Sequence, residues 1–467
     1  MIVFAATRWL GVAACAMALL GCATAPLADP IAVMLDREAD YGRRRTAARQ
    51  ALVTRRDDPA YREALDRIIW DAGYPSWQRI DAITTLVELD EADLRRKLAV
   101  RLLQLPDRPT LDFVIQMAAE RGWSEFTLPI LRSWARPNRL VADPDRPERE
   151  ALRRLHGSGS ETAILLDILV NADNRAALSH QIDAWDLLNR IADGPGLLLS
   201  HAPWPTGSLP NRLLEAQRQV GIMPTTGEEL RWLLYLLSEE QSSQWNDMVR
   251  AVQRLPEAHR RELALRHLPI LALLTGDDPA WTMSFDALLA QVRQTLASAE
   301  RYRAELVDGS LEPQDWAQHL CFADLLVLRE LTGALREPQV VESLFRQADA
   351  DRKDTSTEFG GVLTRDEAGH WRAWMHRPLT RRGDHVFIPP PGMIRDLYTG
   401  CFHYHFHVQE YDNQYHAAPG PGDRRLAERL NFNFIVLTFV DRDRLNVDYY
   451  QKGGVVIDLG VIHRPLQ

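Results

Sequence analysis

From residue 40 to about residue 345 the apolar residues recur at the spacing of a helix. From about Asp354 they alternate as in strands. This change of period limits the chain to a long all-α part followed by a short sheet-containing part. Leu94, Leu98 and Leu102 fall at i, i+4, i+8. Leu230, Leu233, Leu234 and Leu237 share a face, as do Phe285, Leu288, Leu289, Val292 and Leu296. Each set forms one apolar stripe, so each helix must bury it against a neighbour. Thr226 with Glu229 reads as a capping box at a helix start. Short breaks separate helices at Asp57-Asp58-Pro59, Gly73-Tyr74-Pro75 and Pro106-Asp107-Arg108-Pro109. Two Pro/Gly-rich stretches, Arg136 to Pro147 and Gly194 to Pro210, read as long loops. Helices in series imply an α-solenoid or a plain bundle.

The chain has 467 residues, of which 46% are hydrophobic and 25% charged. That is enough to bury a large core, and it excludes a disordered class. Its formal net charge is −9, without the basic excess of a nucleic-acid binder. The stretch from about 42 to 136 loosely resembles HEAT-type helical repeats, which would give the helical part a binding surface for a protein or peptide.

Residues 1–22 carry one cation, Arg8, then an apolar run from Trp9 to Gly21. The run is short of the roughly 20 residues that span a bilayer and has the length of a signal-peptide core. It ends in Leu19-Leu20-Gly21-Cys22, which resembles the lipobox of bacterial lipoproteins. That resemblance implies cleavage before Cys22, a lipid on Cys22 and a lipid bilayer as partner. With Ala23 following, it implies the outer membrane, facing the periplasm, in a Gram-negative host. A buried N-terminal helix is the competing reading. Cys15 would leave with the signal, and Cys321 and Cys401 remain, either paired or as two free thiols.

From about residue 350 on, the chain reads as a compact α+β module with a mixed sheet. Phe359 to Thr364 and Trp371 to Met375 form a hairpin around Asp366-Glu-Ala-Gly369. A short helix follows near Ile394 and Leu397, then a strand from Cys401 to Val408. Asp423 to Leu430 reads as a helix, and Phe432–Val440, Leu445–Tyr450 and Val455–Leu459 as strands, the last two joined at Lys452-Gly453-Gly454. The expected organisation is a signal over 1–21, a tether over 22–40, a helical domain over 41–345 and the module over 346–467.

His403, His405 and His407 alternate along one of these strands, so period 2 puts all three imidazoles on one face. Neighbours on that face stand about 7 Å apart, and two can reach one metal ion. A surface histidine ladder is the plainer alternative. Asp423 follows Pro419-Gly-Pro-Gly422 at a helix start, where a carboxylate also serves as a cap. Glu358 stands directly before Phe359-Gly360-Gly361, as a general base or an ordinary exposed strand-end residue.

Glu358-Phe-Gly-Gly, His405-Phe-His407 and Gly420-Pro-Gly-Asp423 together resemble the JAMM, or MPN-type, metallopeptidase superfamily. The resemblance covers about residues 350–460. It implies zinc held by His405, His407 and Asp423, with Glu358 as general base and peptide, isopeptide or other amide bonds as substrate. His403 can replace His407 in the pair. The family's Ser position is Gly420, its Pro after the second His is Val408, and the run from His407 to Asp423 is longer than the family's compact spacing. Whether Tyr415, His416 or another group replaces the missing hydroxyl stays open in the sequence. His403-Tyr-His405 with Glu410 also matches part of a cupin motif, with His463 as the remaining His. Two functions stay open: a lipid-anchored zinc hydrolase, or a non-catalytic lipoprotein scaffold with a degenerate module.

Overall fold

The computed structural model describes residues 27–466 except 139, 158, 172–174, 302–314, 384–386 and 414–415. Cys22 and the whole lipobox lie outside the described residues, as does Tyr415. Among the described residues no helix is long and apolar enough to cross a membrane. The chain forms two compact units, one ending at Ile164 and one beginning at Leu165. The first is helical, and the second joins further helices to a six-stranded mixed sheet.

In the first unit helices pack on sequence neighbours. Pro59–Trp70 lies against Ser76–Arg101, and both Arg108–Glu120 and Thr127–Ala135 lie against Pro147–His156. Each predicted break is a helix boundary. Asp58 and Asp107 sit at N-caps, and their carboxylates accept from the N–H groups of Ala60 and Thr110. The Leu94, Leu98, Leu102 stripe is buried. Where three helices meet, the carboxylate of Glu148 is fully enclosed. Arg108 donates to both its oxygens, at 2.9 and 2.8 Å. Arg146 donates to Oε1 at 2.8 Å and Ser133 at 2.7 Å.

The expected loop from Gly194 to Pro210 is partly wrong. Gly194–Ser200 is a helix, because the Asp193 carboxylate accepts the Gly196 N–H at 3.1 Å and Pro195 occupies the first turn. The expected capping box is also half right. Thr226 accepts the Glu229 N–H at 3.1 Å, but the Glu229 carboxylate accepts from Thr225, through its N–H (2.6 Å) and its hydroxyl (2.8 Å).

The second unit contains α1 (Gly227–Leu236), α2 (Phe322–Ala334), α3 (Pro338–Asp351), α4 (Pro391–Leu397) and α5 (Pro421–Leu430). Its strands are β1 (Gly360–Arg365), β2 (Trp371–His376), β3 (Phe402–His407), β4 (Phe434–Asp441), β5 (Arg444–Tyr450) and β6 (Val456–His463). Their order is β2-β1-β3-β4-β5-β6, with β3 and β4 parallel and every other pair antiparallel. Each strand read from the alternation is present, with shifts of one or two residues at its ends, except that β6 runs four residues past the expected Leu459. The turn at Gly453 and Gly454 has φ of 87° and 75°. That left-handed backbone is one that glycine allows.

One face of the sheet is apolar and covered by α3. There Phe345 packs on Phe439, and the Tyr404 hydroxyl donates to Gln347. A Cβ on Gly361 would collide with the Tyr404 hydroxyl and the Trp374 carbonyl, so β1 needs glycine there. The other face carries the histidines.

Burial alone would raise the pKa of Glu148, but Arg108, Arg146 and Ser133 hold it down at about 2 against an ordinary 4.5. Its stabilisation is therefore complete above pH 4.5 and lost as pH falls through about 2, amounting to about 3 kcal/mol at neutral pH. Thermal unfolding of E148Q against the wild type is expected to show that gap at pH 7 and its narrowing below pH 4.5.

Candidate metal centre

Because β3 and β4 run parallel, the chain must return from the C-terminal end of β3 to the start of β4. Residues 408–433 make that return, and α5 lies within it. The first turn of α5 is thereby brought back to the end of β3, where His405 and His407 project. Asp423 is the third residue of α5. One oxygen, Oδ2, accepts the Gly420 N–H at 2.8 Å. It so caps the helix, while the carboxylate also faces the histidines. Asp423 is thus not the N-cap that the sequence suggested, since Gly420 holds that position, but it caps the helix from its third residue and faces the histidines as well.

The Nε2 atoms of His405 and His407 approach within 3.3 Å. His405 Nε2 lies 3.3 Å from Asp423 Oδ1, and His407 Nε2 lies 3.6 Å from Asp423 Oδ2. Ligands bound at about 2.0–2.1 Å around a tetrahedral ion stand about 3.3–3.4 Å apart. The three side chains thus stand close to the mutual spacing of one ion's ligands, with His405 nearest Oδ1 and His407 nearest Oδ2 of Asp423. Glu358, His405 and His407 also offer atoms all within 4.8 Å of one another. Glu358 is 4% exposed, not the exposed strand-end residue of the plainer reading, and Gln409 donates to its Oε1 at 3.3 Å.

The site is wired from behind. His407 Nδ1–H donates to the His416 carbonyl at 2.6 Å, which leaves Nε2 as the acceptor facing the cluster. Thr438 donates to the same carbonyl at 3.4 Å. Two residues on, Ala418 has φ 68° and its N–H donates to Asp448 Oδ2 at 3.0 Å. Burial and the facing Asp458 push Asp448 up to about 7. Burial also opposes charge on Asp423, but His405 and His407 hold its carboxyl well below the usual range.

His403 shares the face but not the cluster. It is fully buried against Phe434 (4.9 Å between centroids) and Phe387 (5.3 Å), and burial, with His405 beside it, keeps it neutral. The pair that meets Asp423 and Glu358 is His405 with His407. Glycine at 360 matters here, because a Cβ would strike the Phe387 ring that stacks on His405. Sequence reasoning missed Gln409, Asp448 and Tyr450. Tyr450 stands edge-on to His405, 6.4 Å between centroids, and reads in the sequence only as a strand residue.

A second cluster, His267, Cys321 and Asp324, also has donors that could hold a metal. Its hydrogen bonds argue for a structural role. The Ala264 N–H donates to His267 Nδ1 at 2.9 Å, so Nε2 carries the proton and donates to Asp324 at 2.9 Å. Arg266, 2.9 Å from Asp324, already supplies the balancing charge. Arg266 also donates to Asn431, the left-handed residue that ends α5, and Asn431 donates to Glu229 of α1.

No protein-family model matches the chain, and neither a curated protein nor a solved structure matches it significantly.

Cys321 and Cys401 are free thiols. Burial pushes Cys401 up to about 12 and raises Cys321 as well. Both are expected to resist a thiol-titrating disulfide reagent in the native protein and to react fully in denaturant.

Proposed function

We propose that this chain is a lipid-anchored, zinc-dependent hydrolase of peptide, isopeptide or other amide bonds, of JAMM (MPN) type. One observation carries the reading: the 3.3–3.6 Å spacing of His405, His407 and Asp423, with the Glu358 carboxylate beside them. His405, His407 and Asp423 would hold the ion. Three protein ligands leave one tetrahedral position for water or substrate, as catalytic zinc requires. When bound, zinc would lower the pKa of a water to about 7 and polarise the substrate carbonyl.

The chain's own residues do the rest. Glu358 takes the proton as the water oxygen adds to the carbonyl carbon, and later returns it to the leaving amine. Gln409, donating to Glu358 Oε1, holds that carboxylate in place. The His416 carbonyl fixes the tautomer of His407. The bilayer would be reached through Cys22, and the helical part would present the protein or peptide that carries the scissile bond. The second reading, a non-catalytic lipoprotein scaffold, is favoured by a single feature, the absence of a hydroxyl at Gly420.

Elemental mass spectrometry of residues 23–467 is expected to give about one zinc per chain. H405A and D423A should lose it, while H267A should keep it. E358Q should retain zinc but lose about 10²–10⁴-fold in turnover of quenched-fluorescent peptides. Zinc-free wild type would sink the proposal, unchanged turnover in E358Q would remove Glu358 as the base, and zinc-loaded wild type without turnover would leave the scaffold. Gly420 has φ −69°, and a Cβ there meets only Asp423 Oδ2, at an ordinary 3.5 Å. G420S is therefore expected to fold normally, shift stability by only about a few tenths of a kcal/mol, and raise turnover.

A further inference from the structure

We propose that Tyr450 is a catalytic residue, its phenol donating a hydrogen bond to the substrate carbonyl oxygen as negative charge develops there. This rests on the hydrolase reading above, and supplies the donor that Gly420 cannot.

The side chain is 1% exposed, and its hydroxyl has no hydrogen-bond partner among the described residues. Other buried tyrosines of this unit are satisfied. The Tyr404 hydroxyl donates to Gln347, that of Tyr449 to Gln451 at 2.6 Å, and that of Tyr398 to Glu228 at 2.6 Å. A buried donor left unsatisfied costs stability, so such a group beside a chemical site points to a ligand. Register places it there. Tyr450 pairs with Phe434 and Phe434 with His403, so Tyr450 lies on the histidine face of the sheet. Its ring stacks on Phe434 (5.1 Å, 23°) and stands perpendicular to His405 (6.4 Å, 86°). Burial, with Asp423 and Glu358 the carboxylates whose charge reaches it, keeps the phenol protonated and a donor throughout the working pH range.

The step balances without any co-reactant. The water oxygen bonds to the carbonyl carbon and gives one proton to Glu358. The carbonyl π pair moves onto the carbonyl oxygen, which accepts from Tyr450 without taking its proton. The carbon–nitrogen bond then breaks, and the Glu358 proton goes to the amine. A donor preorganised for charge that appears only in the transition state acts on kcat rather than KM.

The test uses Y450F in residues 23–467. Removing an unsatisfied hydroxyl should leave the melting temperature equal or higher and the zinc content unchanged. Acetohydroxamate, a zinc-seeking probe with an anionic oxygen, should bind Y450F at least about tenfold more weakly by calorimetry. On quenched-fluorescent peptides kcat should fall about 10²–10³-fold with KM unchanged, as when one oxyanion donor is removed. Y450F/G420S should recover part of both losses. Zinc-loaded Y450F with wild-type hydroxamate affinity and kcat would overturn the role of Tyr450 alone. Wild-type protein without zinc would overturn it together with the hydrolase reading.

Discussion

The site depends on the parallel pairing of β3 with β4. An antiparallel neighbour could have followed β3 through a tight turn, and nothing would then bring residue 423 near residues 405 and 407. A parallel neighbour forces a long return, and that return delivers the start of α5 to the C-terminal end of β3. A helix start is where a carboxylate is stabilised by free N–H groups and by the helix dipole. Asp423 uses that environment for one oxygen, on the Gly420 N–H, and faces the imidazoles at the same time. Cap and candidate ligand are one residue because the topology makes one place serve both.

The other end of α5 is held just as firmly. Asn431 closes the helix in a left-handed conformation, with its amide clamped between Arg266 and Glu229. Arg266 is in turn paired with the buried Asp324, to which His267 also donates. Breaking such a buried pair from one side costs about 3–5 kcal/mol, because the remaining charge is left unbalanced. The network is therefore poor ground for substitution, and it ties the helices preceding the sheet to the crossover. The helical part of this unit contributes no described group to the candidate centre, yet it sets where α5, and with it Asp423, stands.

The periodicity of the sequence carried most of the architecture. Period 3.6 marked the helices and period 2 marked the strands, because burial of one face is what selects those residues. Pro and Asp at the breaks marked the caps for the same local reason. The candidate site was legible where its residues are local to one element, as with His405 and His407, and where a motif links separated pieces, as with Glu358 and Asp423. Choosing between His403 and His407 needed the structure. Both lie on the right face, and only the height of α5 along β3 separates them. Gln409, Asp448 and Tyr450 stayed hidden because their roles arise from register between strands distant in sequence. The Gly194–Ser200 helix was missed because glycine and proline count as breakers on average, whereas Asp193 and Pro195 in front of a leucine run start a helix.

The histidine face also collects polar atoms that find no partner among the described residues. They include both nitrogens of His403, Nδ1 of His405, the Tyr450 hydroxyl and, further along β5, Oδ1 of Asn446. His403, His405 and Tyr450 sit among Phe387, Phe434 and each other. An aromatic wall of this kind lowers the local dielectric, which strengthens every charge interaction at the proposed centre and raises the cost of each unpaired group. A fold selected for stability alone would replace those groups with apolar ones at little loss. Their concentration beside the cluster with ligand spacing makes sense if that face is shaped for charge that arrives with a bound ion and a reacting carbonyl. On that view the proposed anion-stabilising donor would stand on β5, at Tyr450, and not at the helix start, where Gly420 has no hydroxyl.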